Sequence, residues 1–170
     1  MDAPVGPAGR SDGPLAPAAL PEPVIVGFLC HWCAYRAADA AGMAREAYAA
    51  ALRPLQVACS GRVDARMVFE AFAGGADGVL VVGCHPGSCH VVDGNLKALR
   101  RHALLRRLLA QLGVAPERLR LLWVSAAEGA ALAAAVDAMA LRLRALGPLH
   151  ARDGLGPRPS PGSGTGRDRG

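Results

Sequence analysis

The sequence predicts an α/β domain: a single open, parallel, four-stranded sheet with helices on both faces, in a flavodoxin-like strand order. Two observations predict it. Short apolar runs alternate with longer amphipathic stretches in a β-α-β-α-β-α-β-α string. Three of the four short runs are nearly continuous in apolar residues, as parallel strands covered on both faces require. Strands joined through helices cross over right-handed, which lays them side by side in one sheet.

Strands are expected at Val24–Leu29 (VIVGFL), Leu55–Ala58 (LQVA), Gly78–Val82 (GVLVV) and Leu119–Val124 (LRLLWV). The first helix is expected from Trp32 to Leu52, an Ala-rich stretch in which Gly42 is a weak point. Asp64 caps the second, Val68 and Phe72 stand four apart on it, and Gly74-Gly75 ends it. Asn95 opens the third, with Leu105, Leu108, Leu109 and Leu112 as its apolar stripe. Ser125 and Glu128 form a capping-box pattern for the fourth. Its stripe is Leu132, Val136, Met139 and Leu143, and Gly147-Pro148 stops it.

Outside these elements, residues 1–22 are dense in Pro, Gly and Ala, and residues 151–170 in Gly, Pro, Ser and Arg. Neither stretch has apolar periodicity, so both are expected to be disordered tails around one folded domain at 23–150. Of the 170 residues 52% are apolar but only 4% aromatic, so the core must be built from Ala, Leu and Val. No apolar run approaches the ~20 residues of a membrane-spanning helix. The N-terminus lacks a basic start followed by an unbroken apolar stretch, so it does not read as a signal peptide. A cytoplasmic protein with no membrane association is expected.

Five cysteines in such a chain point to metal or redox chemistry, because disulfides are rare in a reducing compartment and an odd count leaves one unpaired. Single scattered cysteines would be small buried apolar residues. These are not scattered. Cys30 follows strand one, Cys59 strand two and Cys84 strand three, while Cys33 starts helix one and Cys89 lies in the loop after strand three. In open parallel sheets, ligand sites gather at the carboxyl ends of the strands near the point where strand order reverses. All five sulfurs are thereby expected on one edge.

The spacings support metal. Cys30 and Cys33 form C-x2-C, which lets two thiolates reach one ion or cluster, and Cys84 and Cys89 form C-x4-C around Pro86-Gly87. Gly83, Gly87 and Gly94 would let backbone approach a cofactor. C-H-W-C after a strand also matches a thioredoxin-like dithiol, but that leaves Cys59, Cys84 and Cys89 unexplained. A structural zinc would take four thiolates, yet such sites serve domains too small to have a core of their own. A phosphatase-type nucleophile at Cys84 would need an arginine where His90 stands, and no nucleotide-binding fingerprint is present. His31, His85 and His90 each adjoin a cysteine and read as turn residues or hydrogen-bond donors more than as ligands; Trp32 reads as a shield. No catalytic residues are expected. Between Lys97 and Arg120 lie Lys97, Arg100, Arg101, Arg106, Arg107, Arg118 and Arg120 against Glu117 alone. Without interleaved aromatics this reads as a solvated face or a docking face for an acidic protein, and not as a nucleic-acid site.

The segments GFLCHWCAYRAAD (Gly27–Asp39), CSGRVD (Cys59–Asp64), GADGVLVVGCHPGSCH (Gly75–His90), GN followed by LRR (Gly94–Arg101) and WVSAAEG (Trp123–Gly129) closely resemble the delta subunit of methyl-viologen-reducing hydrogenases, over about residues 24–149. The resemblance implies a small iron–sulfur subunit with one 2Fe-2S cluster and no substrate site of its own. It also implies partners: a nickel–iron hydrogenase or a formate dehydrogenase on one side, and the flavin-bearing subunit of heterodisulfide reductase on the other. Carried over, the family's cysteines fall on Cys30, Cys33, Cys59, Cys84 and Cys89 as cofactor and metal ligands. If strands one and three are neighbours, Cys30, Cys33, Cys84 and Cys89 converge and Cys59 is the spare thiol. The alternative is a free-standing thiol–disulfide oxidoreductase or zinc protein using the same cysteines.

Overall fold

The computed structural model describes residues 22–149; the expected disordered tails lie outside them. In chain order the elements are β1 (Ile25–Cys30), α1 (Ala34–Met43), β2 (Leu52–Val57), α2 (Ala65–Ala73), β3 (Gly78–Gly83), α3 (Gly94–Gln111), β4 (Leu119–Trp123) and α4 (Gly129–Leu146), with short 3-10 turns at Ser60–Arg62 and Pro116–Arg118. The strands form one parallel sheet in the order β2-β1-β3-β4, the flavodoxin-like order expected from the sequence. Strand order therefore reverses between β1 and β3, which pair directly, Ile25 against Gly78 through Leu29 against Val82.

Each face of the sheet has its own apolar core. Alternate residues of β1 and β3 (Ile25, Leu29, Leu80, Val82) pack against Ala34 and Ala37 of α1 and Leu132, Val136, Met139 and Leu143 of α4. Phe28, Val79 and Val81 face Val68 and Phe72 of α2 and Leu105 and Leu109 of α3. The expected stripe of α4 is buried in full. Small residues let α1 and α4 come close: a Cβ on Gly129 would lie 2.8 Å from Ala41 N and 2.9 Å from Ala37 O, so only glycine fits there.

Four expectations are corrected. The first helix ends at Met43 and not at Leu52, because Arg45 turns the chain with φ 56° and Ala49 N donates to Asp137 Oδ1 at 2.7 Å, docking the remaining Ala-rich segment on α4. β2 then starts at Leu52, three residues earlier than its apolar run suggests; it is an edge strand with Arg53 to Gln56 exposed, which is where Pro54 is tolerated. On α3, Leu105 and Leu109 are buried, but Leu108 and Leu112 face outward, since the buried face runs through Asn95 and Ala98 instead. Arg118 is not on a solvated face either: it is buried at the amino edge of the sheet, donating to Asp77 O at 2.9 Å and Gly147 O at 2.7 Å.

Candidate metal centre

The carboxyl edge of the sheet is built by three connections: the β1–α1 loop with Cys30 and Cys33, the β2–α2 turn with Cys59, and the β3–α3 loop with Cys84 and Cys89. Cys30 is the last residue of β1 and Cys33 stands at the N-cap of α1. Cys84 directly follows β3. Because β1 and β3 are adjacent, these three sulfurs lie within 4.8 Å of one another, Cys30 Sγ and Cys84 Sγ 3.9 Å apart, and all three are buried. They form the group suited to holding a metal ion among the described residues, and all five cysteines are free thiols.

Cys59, buried, and Cys89, half-buried, stand outside that group of three. Gly94, the first residue of α3, is the reason they fit: a Cβ there would overlap Cys59 Sγ and lie 3.5 Å from Cys89 Sγ. Gly61 is its counterpart, since a Cβ on it would come 2.7 Å from Gly94 Cα. Cys59 interacts electrostatically with both Cys89 and Cys30.

The trio shares its protons unequally. The Cys33 thiol donating to Cys30 is the largest influence on Cys30; with the Trp32 amide, the Cys84 thiol and the Ser60 amide it lowers the Cys30 thiol to about 5, against the opposing effect of burial. Cys33 is pushed up, by its bond to Cys30 and then by burial. Burial is the main cause that raises Cys84 and Cys59. The hydrogen bonds thus favour the thiolate at Cys30 over its neighbours, and metal binding would release the protons the thiols carry.

Backbone amides supply the charge compensation. The N–H groups of Trp32 and Ser60 point at Cys30, that of His90 at Cys84, and Gly61 N donates to Cys59 Sγ at 3.4 Å. Such bonds stabilise a thiolate and reduce its basicity toward a metal. Ser60 Oγ is buried and has no hydrogen-bond partner among the described residues.

Several supporting residues carry no signal of their role in the sequence around them. Asn95 reads there only as a helix opener. Its Nδ2 donates to Cys84 O at 3.1 Å and His85 O at 2.9 Å, fixing the chain as it leaves β3. Ser125 does not cap the fourth helix as its capping-box pattern suggests, since α4 starts at Gly129 with Glu128 as its N-cap. Glu128 still accepts from Ser125 N at 2.5 Å, and it also holds His85 Nε2 at 2.7 Å, tying the β3–α3 loop to the start of α4. The indole of Trp32 stacks on the His90 ring, centroids 4.9 Å apart and planes 5° apart, so it joins the two cysteine loops while staying 40% exposed. His31 is occupied by Gln56 at 2.5 Å.

Fold and site together define a small parallel α/β domain with a buried, cysteine-only metal site at the carboxyl edge of its sheet. The chain matches the methyl-viologen-reducing hydrogenase delta subunit family over residues 25–147, and it belongs to that family. It is 49% identical over 127 residues to the iron-sulfur subunit of the F420-non-reducing hydrogenase of Archaeoglobus profundus, covering 75% of this chain and 93% of the relative. With the iron-sulfur subunit of the F420-non-reducing hydrogenase vhc of Methanococcus voltae it shares 42% over 135 residues, 79% of this chain and 94% of the relative. A third similarity is to one subunit of the ferredoxin/F(420)H(2)-dependent CoB-CoM heterodisulfide reductase of Methanosarcina acetivorans, 43% over 127 residues; it covers 75% of this chain but only 16% of that much longer one.

Proposed function

We propose that this chain is an iron–sulfur electron-transfer subunit, relaying electrons between a hydrogenase or formate dehydrogenase and a heterodisulfide reductase-type flavoprotein, with a 2Fe-2S cluster as its cofactor. The observation that carries the reading is the buried Cys30–Cys33–Cys84 trio at the strand ends. The donor set fits: it offers sulfur alone, with a fourth and fifth thiol beside the trio and backbone amides directed at three of the sulfurs. Such a cofactor supplies one-electron exchange at a potential set by burial and by hydrogen bonds to sulfur.

The relatives support the partners. Names of hydrogenase iron-sulfur subunits attach to proteins that this chain matches nearly end to end. In Methanosarcina acetivorans and Methanosarcina mazei, a domain like this one forms part of a longer heterodisulfide reductase chain. A unit that stands alone beside a hydrogenase in some organisms and is built into a reductase chain in others suits a connector between the two. We take residues 23–150 as that unit and the cytoplasm as its compartment; among the described residues no helix is long and apolar enough to cross a membrane.

The chain's own residues hold the thiolates, exclude water from them and present one exposed aromatic, Trp32, between Cys30 and Cys33 at the edge a partner must approach. Anaerobic purification of the full chain tests the reading. About two irons and two labile sulfides per chain are expected, with visible absorbance that bleaches on reduction. Stoichiometric zinc without iron, in colourless protein that cannot be reconstituted, would support the zinc or dithiol alternative instead.

A further inference from the structure

Three thiols meet at the centre of the site, and a two-iron cluster bound by thiolates needs four. Cys59 and Cys89 remain, and the fold brings both sulfurs to the same spot. A Cβ on Gly94 would meet both, although they come from two different loops, and Cys59 also interacts electrostatically with Cys30. Cys59 is thus the thiol next to the trio, and Cys89 is the thiol next to Cys59.

The two are held differently. Cys59 is 4% exposed and caps the Ser60–Arg62 turn, its Sγ accepting from Gly61 N. That turn is clamped to α3: Gly61 rests on Gly94, and the Arg101 guanidinium donates to Gly61 O and Val63 O. Cys89 lies in the β3–α3 loop, which has no helix or strand between Cys84 and Asp93. The loop carries Gly87 at φ 83° and Val92 at φ 48°, a left-handed conformation that a β-branched residue rarely adopts. Val91 and Val92 are both exposed there, so apolar packing does little to fix the loop.

We propose that the fourth ligand position is exchangeable: Cys59, on the clamped turn, is the resident ligand, and Cys89, on the loop, takes its place when Cys59 is unavailable. This rests on the iron–sulfur reading above. In the exchange, Cys89 loses its S–H proton to solvent and forms a sulfur–iron bond, the bond from position 59 is absent or released with its sulfur protonated, and no electron is gained or lost.

Native-state alkylation of the anaerobically purified, iron-loaded full chain with iodoacetamide, followed by peptide mass mapping and iron analysis, tests this. In the unsubstituted protein the label is expected on Cys89 alone, with iron retained. Cys89→Ala should keep its iron. Cys59→Ala should also keep its iron, with an altered visible and electron paramagnetic spectrum, and Cys89 should now resist the label. The double variant should lose it. Cys59→Ser, which is close to cysteine in shape, serves the same comparison if the alanine variant does not fold. Folded Cys59 variants without iron, or with iron but with Cys89 still labelled, would overturn the proposal, as would iron loss in Cys89→Ala or labelling of Cys59 in the unsubstituted protein. Unsubstituted protein that binds no iron at all overturns the parent reading, a result distinguishable from all of these.

Discussion

Adding one methyl group at Gly94 strains the site at its tightest point. The Cβ of Gly94→Ala would overlap Cys59 Sγ and sit 3.5 Å from Cys89 Sγ. Cys59 cannot swing away freely, because its turn is pinned between Gly94 and the Arg101 hydrogen bonds. Relief must come from moving the first turn of α3 off the Cys59 turn, and overpacking of that kind costs about 1–3 kcal/mol. Helix propensity opposes it, since Ala is better than Gly by up to about 1 kcal/mol in a helix interior. Gly94 is the first residue of α3, so less of that gain applies. The net expectation is a loss of roughly 1–2 kcal/mol, small beside the ~5–15 kcal/mol stability of a typical domain, so the variant should fold. Its iron content should fall much further than its stability, because the displaced atom is a candidate ligand. Gly42→Ala is the control: a Cβ there meets nothing within 4 Å, and the change should be neutral or stabilise by up to about 1 kcal/mol. Urea denaturation of the reduced apoproteins by circular dichroism gives the stabilities, and iron per chain in the purified proteins gives the occupancy. Gly94→Ala as stable as Gly42→Ala, with full iron, would refute the reasoning.

Two further predictions concern the supports of the site. Glu128 is held down to about 2 from 4.5, first by the Ser125 amide and then by His85. A carboxyl depressed in the folded state stabilises above its unfolded value, and that contribution is lost as pH falls through the folded one. Glu128→Gln should therefore be less stable than the unsubstituted protein near neutral pH, with the gap closing from 4.5 toward about 2; a gap that does not change with pH in denaturation midpoints would mean the charge is irrelevant. The unpaired hydroxyl of Ser60 carries a desolvation cost of about 1–3 kcal/mol, so Ser60→Ala should leave the apoprotein at least as stable as before. A loss above ~1 kcal/mol on the same urea assay would show that this hydroxyl has a partner.

The fold is legible where burial on both faces leaves a mark in the sequence. β1, β3 and β4 appear as apolar runs because helices or neighbouring strands cover them. β2, exposed along Arg53 to Gln56 at the sheet edge, leaves no such run, so its apolar residues point to too late a start. Residues 44–50 have helical composition, yet docking of Ala49 on Asp137 overrides local propensity, an outcome decided by a residue 88 positions away. The strand-end location of the cysteines follows from topology alone. The distances among their sulfurs do not, because those depend on loop conformation. Asn95 and Glu128 show the same limit: each has a local role legible from helix-start patterns, and each makes its second bond to the chain at Cys84–His85, which no pattern in its own neighbourhood encodes.

Clustered cysteine sulfurs that ionise carry negative charge into a buried place, and backbone dipoles, more than buried cations, stand ready to offset it there. Among the described residues, the only charged side chain in the core is Arg118, and it serves the amino edge of the sheet, bonded to Asp77 O and Gly147 O. At the carboxyl edge the compensation comes from the amides of Trp32, Ser60, Gly61 and His90, and from the N-terminal ends of α1 and α3, which the parallel topology aims at that edge. These partial charges are fixed in the backbone and close to the sulfurs. A distant ion atmosphere screens them far less than it screens exposed side chains. The redox potential of the iron-loaded protein should accordingly change little between low and moderate salt, while association through exposed Arg100, Arg106, Arg107 and Arg120 should weaken over the same range. Titrating the potential and the partner affinity across one salt series separates the two. A potential that tracks ionic strength as steeply as the affinity does would mean that surface charge, and not the amide cradle, sets the environment of the thiolates.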